Sequence, residues 1–150
     1  MMKYFAYSQR EFVYKYVVML SDTDQFQHMS FANYLRLMFL ATDALLLSCC
    51  SQQFLSRYRL VLNESRMQFK RQTVAGDQIL IKVNASNITK NQYTLLFTFV
   101  FESSGELVAL GRQVYESIDL MNPTTQDMPK DIENLLIPIK VEEDYLLYKY

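Results

Sequence analysis

The chain has 150 residues, half of them hydrophobic, with ten Phe and eleven Tyr against three Gly and three Pro. That length suits one domain with a real core and is short for two, and the composition is that of a sheet-rich globular protein, not a disordered one. The formal charge of −1, with acids and bases interspersed, excludes a strong electrostatic partner such as a nucleic-acid backbone.

The amino terminus, Met1-Met2-Lys3-Tyr4, carries no apolar signal-like region, so a cytoplasmic protein is expected. Residues 11–21 alternate as a strand does, with Phe12, Tyr14, Tyr16, Val18 and Leu20 on one face. A short polar link, 22–30, follows and ends on Ser30, which stands where a helix N-cap is wanted. From Phe31 to about Leu47 the sequence is helical and apolar nearly all round, and such a helix must be wrapped by other structure. Its longest apolar run, 37–47, is broken by Thr42 and Asp43 and is too short for a membrane span.

Cys49 and Cys50 are adjacent, which disfavours a mutual disulfide. With a single His they give no metal-ligand spacing, so two reduced thiols and no metal or other cofactor are expected. After a polar connection, 48–57, come four strand candidates at 58–70, 78–88, 92–102 and 107–120, separated by turn signals at Ala75-Gly76-Asp77, Thr89-Lys90-Asn91 and Ser103-Ser104-Gly105. Leu95-Leu96-Phe97-Thr98-Phe99-Val100-Phe101 is apolar on both faces and predicts a central strand. The short turns predict an antiparallel meander. Pro129 opens a short helix over 129–136, and the tail 137–150 has no assignment. The layout is a single α+β domain over 1–150, with its core in about 13–136.

The segment Asp22-Thr23-Asp24-Gln25-Phe26-Gln27-His28-Met29-Ser30-Phe31-Ala32-Asn33-Tyr34 sets two carboxylates and the only histidine ahead of the buried helix. Backbone N–H groups in a first helical turn have no intrahelical acceptor and can bind a developing oxyanion. A carboxylate aimed there is arranged to attack a carbonyl, by activating water or directly. The plainer role for Asp22 and Asp24 is to satisfy loop and helix-start N–H groups.

This segment resembles the active-site segment of hotdog-fold acyl-CoA thioesterases of the 4-hydroxybenzoyl-CoA thioesterase type, which reads approximately D-x-D-x-x-G-x-V-x-x-x-x-Y. The resemblance implies a hotdog fold, an antiparallel sheet wrapped around a long central helix, and hydrolysis of acyl-CoA or acyl carrier protein thioesters. It implies Asp24 as the catalytic carboxylate and Asp22 as structural. The N–H of Phe31 is the candidate oxyanion donor. His28 either supports catalysis or only braces the loop, and Asn33 and Tyr34 either pin the helix to the loop or touch substrate.

The family glycine is Gln27 here, which implies a turn made without easy access to positive φ and a loop of different shape. Phe39 and Gln68 stand where relatives often carry acids, which implies an apolar acyl pocket involving Met38, Phe39 and Gln68. Plain core packing is the alternative for Met38 and Phe39. Lys70, Arg71, Lys90 and Arg112 are candidate contacts for coenzyme A phosphates. The resemblance further implies a homodimer, extending to a homotetramer, with the site at the subunit boundary. A polyketide-type hotdog thioesterase, whose relatives share a start like Phe31-Ala32-Asn33-Tyr34, is one alternative, and a non-catalytic acyl-CoA-binding module is another.

Overall fold

Alternating apolar residues build most of the sheet. In the computed structural model, which describes residues 5–8, 11–124 and 127–142, six antiparallel strands are β1 (Phe5–Ser8), β2 (Glu11–Val17), β3 (Tyr58–Phe69), β4 (Gln78–Ser86), β5 (Gln92–Phe101) and β6 (Leu107–Asp119). Three helices accompany them: α1 (Phe31–Cys49), α2 (Gln52–Arg57) and α3 (Lys130–Leu136). The fold is the α+β hotdog, with α1 as its central helix. β5 is buried continuously from Tyr93 to Val100, as its two-faced apolar sequence predicts for a strand flanked on both sides.

The inner rows Ile79, Ile81, Val83 and Ala85 of β4 and Tyr93, Leu95, Phe97 and Phe99 of β5 form one core with Tyr34, Leu37, Met38, Ala41 and Leu45 of α1. Leu37 and Leu45, at most 1% exposed, each contribute about 1.5–3 kcal/mol by burial. Gly111 of β6 lets the helix approach. A Cβ there would stand 2.5 Å from Met38 Sδ and 2.9 Å from Met67 Sδ.

Several expectations are corrected. The strand order is β1-β2-β4-β5-β6-β3, so β3 does not join a meander beside β4 but pairs with β6 at the far edge. Of the four strands after α1, β4, β5 and β6 are joined by tight turns, whereas the longer link 70–77 carries the chain from β3 to β4 across the end of the sheet. β2 stops at Val17 instead of running to Ser21. The Asp22 carboxylate accepts the Met19 N–H at 2.8 Å and the Tyr16 hydroxyl at 2.7 Å, and these bonds hold residues Leu20–Asp22 in a 3-10 turn.

The connection 48–57 contains α2, capped by Ser51, whose hydroxyl accepts the Phe54 N–H at 3.1 Å. β1 had no counterpart in the sequence reading. The tail is described to residue 142: a 3-10 turn Ile137–Ile139 is followed by backbone pairing of Val141 N–H with Ala85 O at 2.8 Å. Residues 143–150 lie outside the described residues.

The largest departure concerns α1 itself. It is not wrapped all round within one chain: Phe31, Leu35, Phe39 and Leu47 are exposed along one face. Among the described residues no helix is long and apolar enough to cross a membrane.

Candidate active site

The link between β2 and α1 is a tight hairpin. Thr23 and Met29 bridge antiparallel, the Asp24 N–H donates to His28 O at 2.9 Å, and the Gln27 N–H donates to Asp24 O at 2.9 Å. Gln27 closes this turn at φ 63°, so it takes the left-handed conformation that glycine adopts most cheaply. The turn leaves Asp24 exposed at the tip, with Oδ1 accepting the Phe26 N–H at 2.8 Å. Among the described residues Asp24 Oδ2 has no hydrogen-bond partner.

The loop is tied down on both sides. Met29 N–H donates to Thr73 O at 2.9 Å, and Ser30 N–H donates to Asp22 O at 3.1 Å. Ser30 occupies the N-cap position of α1 but its hydroxyl caps no helical N–H. Instead it accepts from the Asn33 side-chain amide at 3.1 Å, and the same amide donates to Asp22 O at 2.7 Å. Asn33 thus pins the helix to the loop. Among the described residues no acceptor faces the Phe31 N–H, as expected of a first helical turn.

Beside this helix start lies a pocket of about 470 Å³ lined by Met29, Phe31, Tyr34, Phe69, Lys70, Arg71 and Gln72. Its floor is aromatic: ring centroids are 4.5 Å apart for Phe31–Phe69, 5.1 Å for Tyr34–Phe69 and 5.5 Å for Tyr34–Phe99. Burial pushes the Tyr34 phenol above its ordinary pKa, so it stays protonated at neutral pH and shares a hydrogen bond with Thr73 Oγ1 at 3.2 Å. Arg71 pairs with Glu106 at 2.6 Å, whereas Lys70 has no ion-pair partner among the described residues.

Phe31, Tyr34, Lys70 and Arg71 are therefore brought together, with Asp24 and His28 on the adjoining hairpin and outside the pocket lining. His28 is half-buried; its carbonyl takes part in the turn, while its imidazole has no hydrogen-bond partner among the described residues. Met38 is fully buried against Gly111 and Phe39 is 38% exposed on the open face of α1. Gln68 does not join them. It pairs with Leu110, one residue off the inward-facing Met67–Gly111 pair, so it lies on the outer face of the sheet.

Arg112 also lies on that outer face, 3.1 Å from Glu64. Lys90 is in the β4–β5 turn, about 25 Å of strand away from Phe99. The pocket residues Met29, Phe69 and Gln72 went unremarked in the sequence. Phe69 had a visible signal, since it ends the inward row Ser65, Met67, Phe69 immediately before Lys70-Arg71. Among the described residues no group of three His, Cys, Asp or Glu side chains is arranged to hold a metal.

Comparison with known proteins places this geometry. The family model described as thioesterase-like superfamily matches residues 18–136. No curated protein matches the chain in sequence. Among solved structures, a 1,4-dihydroxy-2-naphthoyl-CoA thioesterase from Synechocystis superposes with a TM-score of 0.76 at 20% identity, covering 85% of this chain and 96% of that one. The dynemicin thioesterase gives 0.78 at 18% identity, covering 87% and 98%. The Staphylococcus aureus protein SAV2348, solved in complex with CoA, gives 0.78 at 16% identity, covering 89% and 86%. At these identities the likeness is one of fold.

Proposed function

This chain belongs to the thioesterase-like superfamily, and on that footing we propose that it hydrolyses acyl-coenzyme A thioesters to free acid and thiol. Membership makes it a hydrolase acting on thioester bonds; the acyl-CoA substrate and the roles of individual residues are the proposal. The observation that carries it is the hairpin at the start of α1. It presents Asp24 with an unpaired carboxylate oxygen next to a helix start whose Phe31 N–H has no acceptor among the described residues.

A thioester suits so spare a site. Its leaving thiol resembles a free cysteine thiol, with a pKa of about 8.5, and departs as thiolate with little need of a general acid. Asp24 draws the proton from a water or attacks the carbonyl itself, and the Phe31 N–H receives the negative charge that develops on the carbonyl oxygen. His28, whose imidazole is uncommitted, donates to the carbonyl or the water from the same hairpin. Phe31, Tyr34 and Phe69 give the acyl group an apolar floor, and Lys70 and Arg71 at the rim meet coenzyme A phosphates. The CoA held by SAV2348 favours this substrate class. The likeness to the dynemicin thioesterase, whose structures concern polyene binding, favours as the second reading a polyene-like acyl group. A cytoplasmic setting, where Cys49 and Cys50 stay reduced, goes with either reading.

The site is also proposed to be completed by a second copy of the chain. β3 is an edge strand of twelve residues, and α1 leaves an apolar face open beside it. Exposed edges and apolar faces of this size are covered in stable proteins, and pairing β3 with its copy covers both in a closed twofold dimer. The decisive experiment measures thiol release by the purified protein from a panel of aromatic, short and long acyl-CoA thioesters. Turnover supports the reading. Tight binding without turnover makes the chain an acyl-CoA-binding module, and neither binding nor turnover overturns the acyl-CoA assignment.

A further inference from the structure

The three helices all lie on the inner side of the sheet, where α1, α3 and Phe54 and Leu55 of α2 join one core with the inward rows of β4 and β5. The outer side is left to solvent at its margins: Lys15 and Val17 of β2 and Arg66 and Gln68 of β3 are exposed. Its centre is different. Asn84 and Ser86 of β4 and Thr94, Leu96, Thr98 and Val100 of β5 alternate with the inward rows and so point outward, yet each is at most 4% exposed. Thr98 Oγ1 is buried without a hydrogen-bond partner among the described residues, whereas a hydroxyl on an open sheet face meets water.

The C-terminal stretch leads onto this covered patch. The Asn84 side-chain amide donates to Ile139 O at 3.2 Å, at the end of the 3-10 turn that follows α3. Lys140 then bridges Ala85 in parallel, and Val141 N–H donates to Ala85 O. The Val141 side chain is buried with Leu96 and packs on Leu110, in a cluster separate from the main core. Asn84 belongs to β4, Leu96 to β5 and Leu110 to β6, so these contacts step across the strands toward the β3 edge.

Beyond the described residues the sequence continues as Glu143-Asp144-Tyr145-Leu146-Leu147-Tyr148-Lys149-Tyr150. Eight extended residues reach roughly 26 Å, while β4 to β3 is three strand spacings, about 14 Å. The chemistry of the segment matches the patch. Five of the six residues after Asp144 are Tyr or Leu, suited to Leu96, Val100 and Leu110. The acids Glu143 and Asp144 suit Arg112 and Lys82, which stand beside Leu96 and Thr98 in the register and also pair with Glu64 and Glu11.

We propose that residues 143–150 lie across the outer face of the sheet over β5 and β6, so that the chain covers this patch itself and closes it to stacking against a second sheet.

The test uses the full chain. Leu146→Asp with Leu147→Asp is compared with wild type for binding of a fluorescein-labelled peptide of residues 143–150, read by anisotropy, and for emission of the apolar-surface dye ANS. In wild type the tethered segment, at an effective concentration on the order of millimolar, keeps the peptide off. The variant is expected to bind the peptide about tenfold or more tightly than wild type does, and to brighten the dye severalfold. Leu110→Asp, added at a half-buried position of the same face, is expected to abolish both gains. Leu146→Ser with Leu147→Ser gives the same comparison where the acidic pair does not fold. No acyl-CoA enters these readouts, so the result is independent of the thioesterase reading.

Equal peptide binding by wild type and variant overturns the inference, since the tethered segment would then not occupy the face. So does peptide binding that survives Leu110→Asp, which places the contact elsewhere. Wild-type protein whose mass by light scattering is halved by Leu110→Asp alone also overturns it, by making the outer face an interface between copies.

Discussion

The side-chain amide of Asn33 donates to the backbone carbonyl of Asp22 at 2.7 Å, so the first turn of α1 carries the hairpin that presents Asp24. A second bond from the same amide, to Ser30 Oγ at 3.1 Å, replaces the ordinary serine cap. The helix start and the carboxylate loop are thereby one mechanical unit. Asn33 is the joint.

Asn33→Ala is expected to cost about 1–2 kcal/mol of stability, the usual consequence of stranding buried hydrogen-bond partners, and to lower kcat as the loop loosens. Asn33→Asp is expected to be worse, because a carboxylate would face the Asp22 carbonyl oxygen where the amide donates. Thermal melting and steady-state kinetics on both variants check this. An Ala variant with wild-type melting and kcat would show that the loop is held by its backbone bonds alone.

Gln27 sits at φ 63°, and a non-glycine residue there costs roughly 1–2 kcal/mol relative to its relaxed backbone. Gln27→Gly is predicted to stabilise the fold by up to about 1 kcal/mol, since glycine removes the strain but loses more entropy on folding. Gln27→Val is predicted to destabilise it, because a β-branched residue tolerates that conformation worst. The urea midpoint reads both changes. A lower midpoint for the Gly variant would mean that the Gln27 side chain outweighs the strain.

Much of the architecture was legible because alternation and turn chemistry are local signals. The four strands after α1 and the helix start at Phe31 lie within one or two residues of their sequence-based limits. The position of β3 was not legible. Pairing with β6 rather than β4 is decided by where the 70–77 link runs, and no residue between Tyr58 and Phe69 encodes its neighbour. The apolar surround of α1 pointed to a wrapped helix, but the chain leaves Phe31, Leu35, Phe39 and Leu47 open, since apolar character alone does not tell which faces of a helix its own sheet covers. In the site, Asp24 and the helix start were visible as a motif. The pocket wall at Met29, Phe69 and Gln72 was not, because it is assembled from two stretches, 29–34 and 69–72, that lie far apart in the chain.

Acid sensitivity is predicted to involve Asp119. Arg57 Nη2 and Nε contact its two carboxylate oxygens at 2.8 and 3.1 Å, and Met121 N–H adds a bond at 3.0 Å. The hydrogen bonds from Arg57 chiefly hold the Asp119 carboxyl below its ordinary range. A depressed carboxyl stabilises the fold above the unfolded value of about 3.9, and that contribution is lost as pH falls through the folded value. The stability gap between wild type and Asp119→Asn is therefore expected to be full near neutrality and to close as pH drops below about 4. Urea midpoints across that range measure it. A gap independent of pH would assign the effect to packing.

The most direct test of the account is kcat for Asp24→Asn on the best acyl-CoA substrate, measured alongside its melting temperature. Asparagine keeps an oxygen that can accept the Phe26 N–H at the same turn, so the hairpin and the melting temperature are predicted to persist. Its amide neither takes a proton from water nor attacks a thioester, so kcat is predicted to fall by about 10²-fold or more. A folded Asp24→Asn variant with kcat near that of wild type would contradict the assignment of Asp24 as the catalytic carboxylate.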